Sequence, residues 1–532
     1  MTIGRRTLMG WAGASVAASV LAKPSLAQNA RADTLHFVPS TSLVSLDPVF
    51  STALVAVQHG YYVFDTLYGV SGKLEPKPQM AEGTQISDDG RTATITLREG
   101  LKFHDGVPVR SADCAASLQR WSKRDTFGKL LDAVVDRYEA SSDHVLKIHL
   151  KAPFPRLLDA IGKPHSSPAF MMPERLARTA PTVQITEMVG SGPYRFLADQ
   201  FDSGSRVAYA RFADYVPRQE APDWTSGGKV ANFGRIEWHV IPDQATATAG
   251  LQAGELDWLE NISADLAPMF AKDKGVTIVT ADPLGTIPVM RFNCTIAPFD
   301  NRKLREVVAR IVDQSEYLST LAGENGKRQV CRDMFPCTIG SGAETGKDVI
   351  GSLFGKPAEI EAALKAAGYK GETIVILNPS DSADISPISM VTADLLKRAG
   401  FNVDLQAMDW GTLLERRTSH ATTDKGGWNI FHSTWPSIAI ANPVLNTTIR
   451  GEGASGWPGW FESPEMEKLV SDWLNAPSPA EAERLFQNVD ALALREMPTV
   501  PLGTYFPQTA YRSDLKGVLG GSVRYPWNVR RT

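Results

Sequence analysis

The chain has 532 residues, with 55 Lys and Arg against 59 Asp and Glu, a net charge of −4, and 43% hydrophobic residues. That length exceeds a single hydrophobic core, so two or three lobes are expected, and the apolar content excludes a chain dominated by disorder. The mild acidity argues against nucleic acid or an anionic membrane as partner, since both demand clustered Lys and Arg.

Arg5-Arg6 precede a mildly apolar stretch at 11–22, and small-residue cleavage sites follow at Ala27 and Ala32. Residues 1–32 therefore read as an export leader, with the paired arginines favouring the twin-arginine route over the general one. About 12 apolar residues cannot cross ~30 Å of hydrocarbon, which excludes a spanning anchor. No cysteine follows the leader, so a free periplasmic protein is expected rather than a lipoprotein. Removing residues 1–27 takes away Arg5, Arg6 and Lys23 and no acid, leaving 52 basic against 59 acidic residues and a net charge of −7.

Residues 34–38 read as a first strand, Leu46-Asp47-Pro48 as a turn, and 57–67 as a helix. Ser87-Asp-Asp-Gly90 marks a hairpin between 84–86 and the alternating run 93–97. Ser111 is placed to cap a helix over 112–121, and 145–150 alternates as a strand. Strands are expected at 194–197, 206–210 and 235–240 and a helix at 245–253. Asp300 is placed to cap a helix whose apolar residues Leu304, Val307, Val308, Ile311 and Val312 share one face. Residues 373–377, 388–399 and 402–407 form a strand–helix–strand unit, hence a parallel crossover. The fold class is α/β. Cys331 and Cys337 bracket a short loop and are read as a disulfide, while Cys114 and Cys294 read as buried apolar residues.

Catalytic constellations are not evident. There is no His-Glu-x-x-His helix, and Gly453-Ala-Ser455-Gly456 brings its second glycine one position early for a nucleophile elbow. Around Gly346-Lys347, Asp348 stands where a phosphate loop needs a hydroxyl. The nine histidines are scattered. No enzyme activity, cofactor or metal is expected.

Several segments, in order, resemble bacterial extracellular solute-binding protein family 5. They are Leu46-Asp47-Pro48, Pro78-Gln-Met-Ala-Glu82, Ile95-Thr-Leu-Arg98-Glu-Gly-Leu-Lys-Phe-His104-Asp105-Gly106, Gly190-Ser-Gly192-Pro193-Tyr194, Gly254-Glu-Leu-Asp257 and Pro298-Phe-Asp-Asn-Arg302-Lys-Leu-Arg305. The resemblance covers essentially the mature chain. It implies a type II periplasmic-binding-protein fold, with two lobes joined by a hinge and an inserted subdomain. Lobe I is then expected to comprise 33–70, 191–285 and 504–532, the subdomain 71–190, and lobe II 286–503. Gly192 and 284–293 are the candidate hinges.

The resemblance further implies a monomeric periplasmic receptor of an ABC importer, binding a peptide or peptide-like solute between its lobes and delivering it to the permease. Trp435 falls near the family's pocket-wall tryptophan, and Thr434, His432, Trp410 and Asn293 complete the expected ligand contacts. Peptide receptors place an aspartate shortly after that tryptophan to pair with the ligand ammonium. Here 436–443 contains no acid, with Asp404 and Asp409 as possible spatial substitutes. Opines, sugars, metal chelates and heme therefore stay open as ligands, as does a periplasmic hydrolase on the same frame.

Overall fold

The computed structural model describes residues 31–270, 272–339 and 344–532; the leader expected at 1–32 lies outside them but for its last two residues. Strand β1 (Thr34–Val38) lies inside a seven-stranded sheet, parallel to β2 (Arg235–His239) on one side and to Trp258–Ile262 on the other. Arg206–Arg211 and Tyr194–Phe196 extend the sheet beyond β2, and Gln508–Arg512 and Val276–Thr280 complete the other edge. Its apolar positions alternate: Leu35, Phe37, Ile236 and Trp238 are fully buried, whereas His36, Glu237 and His239 face the other side, half-buried.

A second seven-stranded sheet is built around β3 (Thr286–Phe292), β4 (Thr373–Pro379) and β5 (Ile430–Pro436). β3 and β5 pair antiparallel over seven residues, and β4 runs parallel to Asn402–Met408. That parallel step is made by helix α1 (Ile385–Arg398), the crossover expected from the sequence. Thr504–Tyr505 also belongs to this sheet, pairing with Thr286 and Arg328–Gln329. The chain thus passes between the sheets at 281–285 and 506–507. A four-stranded antiparallel sheet, Ala81–Ile86, Thr92–Leu97, Val145–Leu150 and Val135–Ser142, forms a separate body packed on Ser111–Ser122. Among the described residues no helix is long and apolar enough to cross a membrane.

Local differences from the sequence reading have simple causes. The helix expected at 57–67 is Leu54–Val63, because Phe64 turns extended and Asp65–Thr66 pairs as a strand. Asn301, not Asp300, caps Arg302–Ile311 by accepting from Lys303 N. Ser111 lies inside its helix, where Asp113 accepts from Arg110 N and the Ser111 hydroxyl donates to Ser142 O.

Two motifs prove to be one lock. His104 N donates to Gly190 O at 2.8 Å, and the His104 ring meets Gly192 O through Nε2 at 3.0 Å. Gly190 is required there, since a Cβ would stand 2.0 Å from Val63 O. Gly192 therefore pins the first sheet to the inserted body and is not a crossing between the two large sheets. Asp47 forms a second lock: its carboxylate takes both Nη groups of Arg120, at 3.2 and 2.6 Å, and accepts from Val49 N and Ile185 N. Both side chains are buried, so breaking this pair strands a charge. Arg120→Met is expected to cost about 3–5 kcal/mol in urea unfolding, whereas the exposed Lys468–Asp472 pair should contribute under about 1 kcal/mol.

Candidate functional site

Antiparallel register decides which side chains of β5 share a surface. Trp435 is opposite Ile287, Ser433 opposite Val289, and Phe431 opposite Arg291, so these six residues share one face of the second sheet. The next layer over that face is 457–460. Arg291, 1% exposed, ties it down by donating to the carbonyls of Pro458, Thr448 and Pro498. Trp457 then meets Phe431 and Trp435 edge-on, with ring centroids 5.1 and 5.6 Å apart. Trp410, the first residue of helix α2 (Trp410–Arg416), packs half-buried into the same aromatic cluster with Trp457. Trp435 ends its strand beside the 281–285 crossing, because Pro436 pairs with Thr286 and Ser437 N donates to Gly285 O.

The opposite face is structural. His432 is fully buried, with Nδ1 3.1 Å from Ser389 Oγ and Nε2 2.7 Å from Thr392 Oγ1, both hydroxyls on α1. The ligand contact expected of His432 is thus replaced by a strand-to-helix tie, since an odd step along a strand reverses the face. Thr434 is half-buried on the same side as His432. Asn293 is also consumed: Nδ2 donates to Trp428 O, and Oδ1 accepts from Thr295 N and Oγ1. Of the five expected contacts, only Trp435 and Trp410 stand together.

Sequence reasoning missed two groups. Arg417 follows α2, with its guanidinium 5.5 Å from the Phe431 ring and 6.0 Å from the Trp457 ring. Unlike Arg291, it has a buried Nε with no hydrogen-bond partner, and burial alone lowers its pKa to about 10. The Trp435 indole N–H is likewise buried and unpartnered. At the crossing, Asp282 accepts from Leu284 N through Oδ1, while Oδ2 is buried without a partner; burial raises its pKa to about 6. The signals were slight: a doubled arginine after Trp410 and an Asp-Pro-Leu-Gly turn. Asp404 and Asp409 are exposed, bonded to Gln406 and Thr412, and supply no buried counter-charge.

Unpaired buried charges and an aromatic wall suit capture of a small polar molecule. The model of bacterial extracellular solute-binding proteins, family 5 Middle, matches residues 75–455. The chain belongs to family 5 of the bacterial extracellular solute-binding proteins. It is a substrate-binding component of ABC transport, not an enzyme. A probable peptide ABC transporter periplasmic-binding protein, y4tO, of Sinorhizobium fredii (strain NBRC 101917 / NGR234) is 34% identical over 539 residues, covering 100% of both chains. The glutathione-binding protein GsiB of Salmonella typhi is 24% identical over 516 residues, 95% of each. The fold is shared with the PBP AgaA in complex with agropinic acid from A.tumefacien R10 (TM-score 0.77, 20% identity, 94% of this chain and 99% of that one). It is also shared with a dipeptide binding protein from pseudoalteromonas sp. SM9913 in complex with Met-Leu (TM-score 0.77, 18% identity, 94% and 100%).

The His432 environment makes a pH prediction. Burial lowers its pKa from 6.5 to about 3, so the unfolded imidazole takes up a proton that the folded one refuses. The stability this contributes is fully present above pH 6.5 and is lost as pH falls toward 3. His432→Gln should reduce the pH slope of unfolding free energy between pH 6 and 4 by about 1.4 kcal/mol per unit, one proton's worth. Urea titrations at pH 7.5, 6, 5 and 4 measure it, and an unchanged slope refutes the assignment.

Proposed function

We propose that the exported, periplasmic form of this chain captures a peptide or peptide-like solute between its two lobes and presents it, as a monomer, to the permease of its importer. The observation that carries the ligand class is Arg417, a half-buried arginine whose Nε is buried without a partner and whose guanidinium is set against Phe431 and Trp457. A charge held this way is relieved by an anionic ligand group, and Arg accepts carboxylates in a planar, two-bond geometry. Asp282, which faces Arg524 at the crossing, keeps one buried oxygen without a partner and is proposed as the acceptor for a ligand ammonium. The names of the relatives, peptide-binding and glutathione-binding, support the same class.

A second reading, an opine-like ligand, is favoured by the absence of any acid across 436–443, because a primary ammonium beside Trp435 would depend on Asp282 alone, and without it would cost roughly several kcal/mol. Trp435, Trp410 and Arg417 are the contacts proposed in both readings. Lobe I, expected at 33–70, 191–285 and 504–532, is proposed to move as a unit that ends at the crossings, with Thr504–Tyr505 held in the second sheet, turning about 281–285 and 506–507 when ligand engages both sides. The Cys331 and Cys337 sulfurs stand 2.07 Å apart, and we read them as a disulfide formed after export.

A thermal-shift panel of dipeptides, tripeptides, glutathione, opines and neutral sugars tests this. Peptide-like or opine ligands should raise Tm and neutral sugars should not. For the best ligand, Trp435→Ala should weaken Kd at least tenfold, about 1.4 kcal/mol, and His432→Gln should leave it within twofold. Stabilisation by neutral sugars alone, or equal effects of both substitutions, contradicts the reading.

A further inference from the structure

On the first sheet, away from the strand that carries Trp435, three side chains of metal-ligating type converge. His36 on β1 and Glu237 on β2 are register partners on adjacent parallel strands, and His239 lies two residues beyond Glu237, hence on the same face. His36 Nδ1 stands 3.0 Å from His239 Nε2, and that nitrogen is 3.7 Å from Glu237 Oε2. One donor atom from each residue falls within 4.8 Å of the others. All three residues are half-buried, so the group is open to ions yet held by the sheet.

The carboxylate is oriented for this work. Glu237 Oε1 accepts from Arg206 Nη2 at 2.8 Å and from Arg235 Nε at 2.6 Å, which leaves Oε2 turned toward His239. Such outer contacts fix a ligating carboxylate as they do in known metal sites. The strand under His36 is held too, its backbone N–H donating to Asp257 Oδ2 at 2.8 Å while Asp257 pairs with Arg531. Ligand atoms sharing one tetrahedral ion at ~2.0–2.1 Å stand roughly 3–3.5 Å apart. The 3.0 and 3.7 Å spacings on His239 need shifts of only a few tenths of an ångström, while His36 and Glu237, within 4.8 Å of each other, would have to draw in around the ion.

We propose that His36, Glu237 and His239 form a surface site for one divalent transition-metal ion of the imidazole-preferring class, with Zn²⁺ as the representative and solvent completing the coordination. Two imidazoles and one carboxylate match zinc, nickel or copper and are poor for magnesium or calcium, which demand oxygen ligands. Arg31, Arg206, Arg235 and Arg531 surround the group, offset in part by Asp257, and sharpen that preference. Their positive charge opposes any ion bound by charge alone and leaves only ions gaining directional bonds to nitrogen. The sequence could not display this site, because its ligands are separated by about two hundred residues and meet only through the parallel pairing of β1 and β2.

The test uses the untagged mature chain, stripped with chelator and titrated calorimetrically with Zn²⁺ and, separately, Mg²⁺. One Zn²⁺ per chain with a micromolar or tighter Kd is expected, with no heat from Mg²⁺. His36→Ala and His239→Ala should each weaken zinc at least tenfold, and the double variant should abolish the stoichiometric event. Should an alanine variant unfold, His36→Gln and His239→Gln keep size and polarity and serve in its place. In parallel, zinc should raise Tm of the parent protein, by mass action on the folded state, but not of the double variant. Absence of stoichiometric zinc, or zinc binding unchanged in the double variant, overturns the proposal. Because the site is separate from Trp435 and Arg417, either result leaves the solute reading standing.

Discussion

The seven-residue antiparallel pairing of β3 with β5 is the constraint on which the functional half of this molecule depends. It holds Trp435, Ser433 and Phe431 on one surface and sends His432 to the other, where α1 consumes both ring nitrogens. A slip of one residue would exchange these roles, presenting imidazole where an indole wall now stands. The same pairing joins the crossing between lobes, since β3 begins at Thr286, immediately after the 281–285 link. The aromatic wall and the proposed hinge at 281–285 therefore meet at the end of one strand pair.

Buried cations show how the scaffold separates structure from function. Arg120 is neutralised by Asp47, and Lys229 by Asp65 at 2.7 Å. Arg291 and Arg305 are satisfied by backbone carbonyls, Arg305 by those of Phe299, Glu496 and Met497. Each is a closed unit that ties distant segments together. Arg417 departs from the pattern, sharing its buried surface with rings and having an open Nε. Arg524 and Asp282 also keep a buried atom without a partner, and Arg417 differs from Arg524, whose Nη groups are held by the carbonyls of Ala281 and Gly521, in lying against the aromatic wall of the candidate site.

Much of the architecture was legible because it rests on local signals. Residue patterning gave 34–38, 194–197, 206–210 and 235–240 in the first sheet and 373–377 and 402–407 in the second but not Trp258–Ile262, Val276–Thr280 or Gln508–Arg512. The crossover around α1 followed from its strand–helix–strand order, and the ordered motifs pointed to the family. Those motifs turn out to be frame: His104 grips Gly190 and Gly192, and Asp47 grips Arg120. The site was less legible. Trp435 was reached through resemblance; His432 was drawn in by proximity along the chain, which ignores the alternation of faces, and Asn293 by resemblance alone, its side chain being spent on Trp428 and Thr295. Arg417 and Asp282 were missed because an unpaired charge is a property of three-dimensional surroundings. Helix boundaries slipped by a few residues where capping was decided by neighbours, as at Arg110 and Asn301.

The central claim is that this family 5 protein holds a small, carboxylate-bearing solute between its lobes. Native mass spectrometry of protein released gently from the periplasm, followed by identification of what dissociates, tests it most directly. One peptide-like or opine-like anion per chain is the predicted result. A neutral solute bound at equal stoichiometry would contradict the role assigned to Arg417 and the ligand class built on it.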